Sequence, residues 1–158
     1  MVDKCAEGAE GQPFTLRVER GKIAEFARAI GAQHADHTDP DTPVMSATFL
    51  TTMFHWERIV ADSNPWHLVK MSKQRGMHAS QRYVFHGPPP AAGAVLRAQS
   101  RIARIWDKTG RRGGQLTFVE MITEFRDEAG TLVAEALMTA VEPKRAAAEQ
   151  SDAGTDSA

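Results

Sequence analysis

The chain has 158 residues, of which 42% are hydrophobic and 25% are charged, and its formal net charge at pH 7 is −1. These values are ordinary for one soluble globular domain, and the balanced charge gives no reason to expect a nucleic-acid or membrane partner. Cys5 is the only cysteine, so no intramolecular disulfide can form. No apolar run approaches the roughly 20 residues of a membrane span, and the first residues lack a signal-peptide pattern. The sequence therefore predicts a cytoplasmic protein.

Both ends of the chain are predicted to be disordered tails. Residues 1–12 are mostly small and polar, and residues 144–158 contain no bulky apolar side chain. We therefore expect a single folded domain over residues 13–143.

The first half of this domain has helical patterning. Residues 20–30 place Ile23, Phe26, Ala27 and Ile30 at helical spacing before a glycine, which predicts a short amphipathic helix. A polar loop is expected over residues 32–43, because this stretch holds acids, histidines and prolines. Residues 47–61 have almost no polar face, which is typical of a buried helix.

The second half has strand patterning. Four runs rich in Val, Ile, Thr and aromatic residues predict strands, at residues 80–86, 95–106, 115–125 and 132–141. Short turn sequences separate the last three runs, so an antiparallel meander is expected. Helices followed by such a meander predict an α+β domain, with one long buried helix laid across a curved antiparallel sheet.

Several segments of the chain are similar, in order and spacing, to the motifs of one known family. Residues 31–40 (GAQHADHTDP) are similar to the motif G-D-x-N-P-(aliphatic)-H-x-D-P, with matches at Gly31, His37, Asp39 and Pro40. Further similar segments follow in the same order, at residues 46–50, 77–93, 111–119 and 130–135. Together these segments resemble the MaoC-like dehydratase family. The pattern is closest to its N-terminal-type domains, which include stand-alone subunits like the mycobacterial 3-hydroxyacyl-ACP dehydratases.

The resemblance implies a hot-dog fold, in which an antiparallel sheet wraps around a long central helix and two domains form a homodimer or heterodimer. It also implies an (R)-specific enoyl-thioester hydratase or 3-hydroxyacyl-thioester dehydratase that acts on acyl-CoA or acyl-ACP without a cofactor. In this family an aspartate and a histidine of the loop exchange the protons. The backbone N–H at the position of Ala47 would face the thioester oxygen. Thr48 would contact substrate. Separately from the resemblance, the basic residues Arg111 and Arg112, with Lys108, could hold the phosphates of a pantetheine-linked carrier, or they could form only a charged hairpin tip.

The loop departs from the family motif at the position of the catalytic aspartate, which is Ala32 here. His34 and Ala35 replace the asparagine and proline, and the segment between His37 and Ala47 is several residues shorter than usual. Two interpretations remain open. In the first, His37 is catalytic together with a substitute, which would be one of Asp36, Asp39 or His34. In the second, a partner subunit supplies the Asp/His pair.

Other interpretations of these residues compete with catalysis in this chain. The histidines and aspartates of the loop suggest a metal site only weakly, and none is predicted. The chain could instead be a non-catalytic scaffold that shapes the acyl channel of a heterodimer. A thioesterase is a third possibility, since the same fold supports that activity.

Overall fold

The computed structural model describes residues 1–39, 41–54, 62–111 and 113–144. Within these ranges the helices are two α-helices, α1 (Arg20–Ala29) and α2 (Ala35–Thr38), and three 3₁₀ helices at Lys4–Ala6, Phe49–Phe54 and Pro65–Val69. The strands are β1 (Phe14–Arg17), β2 (Met77–Phe85), β3 (Val95–Thr109), β4 (Gln115–Arg126) and β5 (Leu132–Pro143). Within these described residues, no helix is long and apolar enough to cross a membrane.

The five strands form one antiparallel sheet in the order β1-β3-β4-β5-β2. The predicted meander of β3, β4 and β5 is confirmed, and its last turn contains Gly130 at φ +85°, which is a conformation that favours glycine. The sequence did not indicate β1, because four residues are too short to show a clear alternation.

One face of the sheet carries the hydrophobic core. Along β4 the buried residues alternate strictly with half-buried ones, as expected for a strand with one covered face. The buried side chains form two clusters, one at each end of this inner face. The first cluster includes Phe14, Leu16, Ile23, Met45, Phe49, Leu50 and Phe125. The second includes Val2, Ala6, Val69, Ile102, Val119 and Met121.

The helix predicted at residues 20–30 is confirmed as α1, with Ile23 and Ala27 buried. Ile30 is half exposed rather than packed, because it follows the last helical residue and lies next to Gly31 at φ +67°.

The predicted buried helix over residues 47–61 is only partly described. The described portion is a 3₁₀ helix at Phe49–Phe54 rather than an α-helix, and residues 55–61 lie outside the described part. The hydroxyl of Thr52 donates to the carbonyl of Phe49 at 2.7 Å. Such side-chain bonds compete with regular α-helical bonding, and β-branched threonine is in any case a poor helix former.

The N-terminal segment expected to be a disordered tail is instead packed against the sheet. Asp3 N–H donates to the carbonyl of Val69, and Gly8 N–H donates to that of Ile102, both at 2.8 Å. Val2 and Ala6 are buried in the second cluster. The composition was misleading because backbone hydrogen bonds and two small side chains hold this segment in place. At the other end, residues 145–158 of the predicted C-terminal tail lie outside the described residues.

Asp107 joins three parts of the chain at one carboxylate. It accepts hydrogen bonds from the hydroxyl of Thr117 at 2.7 Å and from the ammonium groups of Lys4 and Lys144, each at 3.0 Å. The Thr117 hydroxyl, followed by the two lysines, lowers the pKa of the Asp107 carboxyl far below its ordinary value. The N-terminal segment and the end of β5 are thereby tied to the hairpin of β3 and β4.

We expect Asp107→Asn to lower the free energy of unfolding by about 1 kcal/mol at pH 7, because partly exposed ion pairs contribute little more than that. A carboxyl whose pKa is depressed by folding stabilises the folded state above its unfolded pKa. The difference from the unaltered protein should therefore shrink as the pH falls below about 4. Urea unfolding at pH 7 and pH 3 measures it, and the exposed Glu128→Gln serves as a control. An equal difference at both pH values would contradict the assignment.

Candidate active site

The loop between α1 and the 3₁₀ helix at Phe49–Phe54 is anchored at both ends. Ala32 N–H donates to the carbonyl of Ala27 at 2.8 Å, which fixes the start of the loop to α1. Met45 N–H donates to the carbonyl of Pro90 at 3.1 Å, which fixes its end beside the start of β3. The loop therefore lies on a rigid support, as functional loops commonly do.

His37 is held in one orientation by a backbone carbonyl. Its Nδ1 lies 2.8 Å from the oxygen of Val44, and Val44 is itself fixed because its N–H donates to the carbonyl of Asp36 at 2.7 Å. A carbonyl can only accept a hydrogen bond, so the proton of a neutral His37 ring is assigned to Nδ1. Nε2 then carries the lone pair, which makes this nitrogen the one able to take a proton.

Asp39 is occupied by the backbone of its own turn. Its Oδ1 accepts from the N–H groups of Asp41 and Thr42, at 2.9 and 2.7 Å. These two bonds, with that from Thr42 the stronger, lower the pKa of the Asp39 carboxyl below its ordinary value. A carboxylate of lowered pKa that already accepts two hydrogen bonds is a poor proton acceptor.

His34 and Asp36 interact with each other at the start of α2. Asp36 N–H donates to Nδ1 of His34 at 3.3 Å, and Oδ2 of Asp36 lies 3.5 Å from the same nitrogen. One ring nitrogen cannot accept from the N–H and donate to the carboxylate at the same time, and the N–H contact is the shorter. The His34 and His37 rings are neighbours, with centroids 5.9 Å apart.

The four predicted catalytic residues thus come together in one loop, although no carboxylate of the described residues is hydrogen-bonded to the His37 ring. Ala32, at the position expected to hold the catalytic acid, carries no functional group. Across the described ranges, histidine, cysteine and acidic side chains form no group of three that could hold a metal ion.

Ala47 and Thr48 are exposed and lie in the turn that precedes the 3₁₀ helix. This turn is closed by Phe49 N–H, which donates to the carbonyl of Ser46 at 3.0 Å. The first N–H groups of a helical segment have no partner within it, and none is recorded for Ala47 N–H in the described part of the chain. The hydroxyl of Ser46 is buried and also has no recorded hydrogen-bond partner.

The structure does not bring Arg111 to this loop. Arg111 is exposed in the turn between β3 and β4, whereas the loop packs beside the opposite end of β3, where Val44 pairs with Ala91. The 15 residues of β3 span roughly 45 Å along the strand at about 3.3 Å per residue. Within one chain, Arg111 therefore cannot contact a substrate centred on His37. Arg112 lies outside the described residues.

Tyr83 is a further candidate residue of the site, which the sequence analysis did not identify. It is half-buried against the first cluster. Burial raises the pKa of the Tyr83 phenol, and the side chain of Thr51 partly opposes that effect. The sequence signal that could have identified Tyr83 is its position two residues before Phe85, because residues two apart on a strand share one face.

Comparison with known proteins gives a family match and a set of similar folds. Residues 6–136 match the family model described as "FAS1-like, dehydratase domain region". A search of the curated proteins gives no match. Among solved structures, the HadBC (3R-hydroxyacyl-ACP dehydratase) complex from Mycobacterium tuberculosis is 24% identical, with a TM-score of 0.64, covering 86% of this chain and 96% of that one.

Two further solved structures have the same fold at lower identity. The MaoC-like dehydratase from Rhodospirillum rubrum is 14% identical, with a TM-score of 0.55, covering 89% of this chain and 94% of that one. The (R)-hydratase from A. caviae involved in PHA biosynthesis is also 14% identical, with a TM-score of 0.56, covering 85% and 94%.

Proposed function

The chain belongs to the FAS1-like dehydratase domain region family and has the hot-dog fold of the MaoC-like dehydratases, and we propose that it is one subunit of an (R)-specific enoyl-thioester hydratase or 3-hydroxyacyl-thioester dehydratase. It acts in the cytoplasm on an acyl-CoA or acyl-ACP substrate. A MaoC-like partner subunit supplies the complete Asp/His pair. The same reaction runs in either direction, adding water to the double bond next to the thioester carbonyl or removing it.

The observation that supports this proposal is that the His37 loop holds an oriented histidine without a carboxylate paired to it among the described residues. His37 has a fixed ring with Nε2 available, but the position of the catalytic acid is Ala32. Asp39 is engaged by backbone N–H groups, and Asp36 lies beside His34. Hydration needs a base to activate water and an acid to protonate the carbon next to the carbonyl, and one imidazole is a weak substitute for a pair. A site in this state favours dependence on a second subunit.

The edge strand β2 supports the proposal of a dimer. β2 pairs with β5 on one side, and no described residue pairs with its other edge. Ser80, Gln81 and Arg82 are exposed along this strand. An unpaired strand edge is commonly satisfied by another chain, and the similar HadBC dehydratase is a complex. We propose that β2 is where the catalytic partner pairs with this chain, and that a homodimer would use the same edge.

A scaffold without any catalytic group is the second candidate. It is favoured by the same absence of a carboxylate at Ala32. The two candidates differ in what Ala47 does. In the first, the Ala47 N–H stabilises the negative charge that develops on the thioester oxygen, which is a strong contribution in a water-poor site. In the second, this chain only binds the acyl group while all of the chemistry occurs in the partner.

The deciding experiment follows the loss of absorbance when a trans-2-enoyl-CoA series is hydrated. We expect the purified, folded chain alone to be at least tenfold slower than a mixture with a paralogue that carries a complete D-x-x-x-x-H loop. If the chain alone matches the mixture, the partner-dependent proposal is wrong, and His37→Ala should then abolish turnover. If release of free thiol occurs without hydration, the protein is a thioesterase instead.

A further inference from the structure

The outer face of the sheet carries an apolar patch that the core does not use. The buried residues of β4, such as Val119, point to the inner face, so Phe118 and Ile122 lie on the outer face. Trp106 of β3 pairs with Phe118, and Leu137 of β5 pairs with Ile122, which places both on the same face. These four half-buried side chains belong to neither hydrophobic cluster. The patch therefore lies outside the core of the described chain.

Three side chains of this outer face are held in a fixed arrangement. The rings of Trp106 and Phe118 are stacked, with centroids 5.3 Å apart and an angle of 13° between their planes. The guanidinium carbon of Arg104 lies 4.8 Å from the centroid of the Trp106 ring. Such contacts orient the groups that make them, so less side-chain freedom is left to lose on binding. Tryptophan and arginine are also enriched among the residues that contribute most to protein–protein binding, so this arrangement indicates a protein interface.

The same face carries opposite charges on neighbouring strands. Arg101 and Arg104 lie on β3, and Glu120 and Glu124 lie on β4. Arg104 is directly opposite Glu120 in the pairing of the two strands. No ion pair of these two residues is recorded in the described part of the chain. The glutamates would repel an acidic protein or a nucleic acid, whereas a face with both charges side by side can be complementary to itself.

We propose that a second copy of this chain packs on the outer face, about a two-fold axis that runs along the strands between β3 and β4. Rotation about this axis places β3 of each copy over β4 of the other. Because Arg104 and Glu120 share one register position, each arginine then lies over the glutamate of the other copy. In the same way, each Trp106 lies over the other copy's Phe118. Every contact occurs twice, as in an isologous interface, and sheets packed face to face lie about 10 Å apart.

This contact is distinct from the one proposed at the edge strand β2. In the strand order, β5 separates β4 from β2, and the outer face is a surface of the sheet rather than an edge. The face-to-face contact therefore leaves β2 free for a catalytic partner, and a complex that uses both contacts has four chains. The inference does not depend on the chemistry at His37.

Sedimentation equilibrium of the full chain, over a series of concentrations, tests the contact through two charge reversals. Glu120→Arg sets arginine against arginine across the axis, and Arg104→Glu sets glutamate against glutamate. Each variant should have half the mass of the unaltered chain, with the dissociation constant raised at least about tenfold, because facing like charges oppose association. An equimolar mixture of the two variants should regain the full mass, since each arginine then faces a glutamate.

Glu128→Arg is the matched control, because it reverses a charge in the exposed turn between β4 and β5 and should keep the full mass. Circular dichroism checks that each variant is folded. An unaltered chain that does not self-associate would overturn the proposal, and so would masses that neither reversal changes, which are the result expected if copies associate through β2 alone. A mixture that stays at half the mass would overturn the two-fold arrangement.

Discussion

Ala32→Asp is expected to raise the rate at which the purified chain hydrates a short trans-2-enoyl-CoA by about 100-fold. The substitution returns a carboxylate to the position from which the family's loop aspartate works with the histidine. His37 already has a fixed ring with Nε2 free, so the pair would be completed by one side chain. Positioned acid–base groups contribute roughly 10²- to 10⁴-fold to such rates. The same absorbance assay measures the gain.

Ala35→Asp is the matched control for this variant. It adds the same charge three residues later, at an exposed position in α2 where the family motif has proline. Its rate should stay near that of the unaltered chain, and the Ala32→Asp/His37→Ala double variant should lose the gain. A folded Ala32→Asp protein without any gain would contradict the expectation. The shortened segment between His37 and Ala47 would then be the cause of the low activity.

The strands β2 to β5 were predictable because each run of β-branched and aromatic residues is long and is bounded by turn residues, which is not true of the four-residue β1. β3 and β4 extend beyond the predicted runs by only a few residues, up to Thr109 and Arg126. The N-terminal segment was not predictable, because its contacts are backbone hydrogen bonds to Val69 and Ile102, which leave no trace in side-chain pattern. Hydrophobic periodicity reports which side chains are covered and does not report which backbone groups pair.

The candidate site was predictable as a location but not as a set of interactions. The motif brought His34, Asp36, His37 and Asp39 into one loop, and the structure has them there. The motif could not indicate that the carboxylate of Asp39 is engaged by the N–H groups of its own turn, since this depends on local dihedral angles. Nor could the motif show that Arg111 lies far from the loop. The loop lies beside the start of β3 because Val44 pairs with Ala91, and the motif does not indicate this pairing.

Phe49→Ala is expected to lower the free energy of unfolding by about 3–5 kcal/mol, the usual cost of deleting a fully buried phenylalanine. Phe49 is 1% exposed and lies edge-on to Phe26, with ring centroids 5.7 Å apart. It therefore joins the 3₁₀ helix, which follows Ala47, both to α1 and to the inner face of the sheet. Since single domains are stable by only about 5–15 kcal/mol, this loss should be evident in urea unfolding.

Phe118→Ala is the matched control, because it removes the same side chain from the opposite face of the sheet. Phe118 is half-buried and stacks on Trp106, with centroids 5.3 Å apart, while its neighbour Val119 points into the core. Less apolar surface is lost there and no cavity is left, so we expect a cost of about 1–2 kcal/mol. Equal losses in the two variants would contradict the assignment of the core to the inner face. A larger loss for Phe49→Ala would show that the 3₁₀ helix that follows Ala47 is held in place by the core itself.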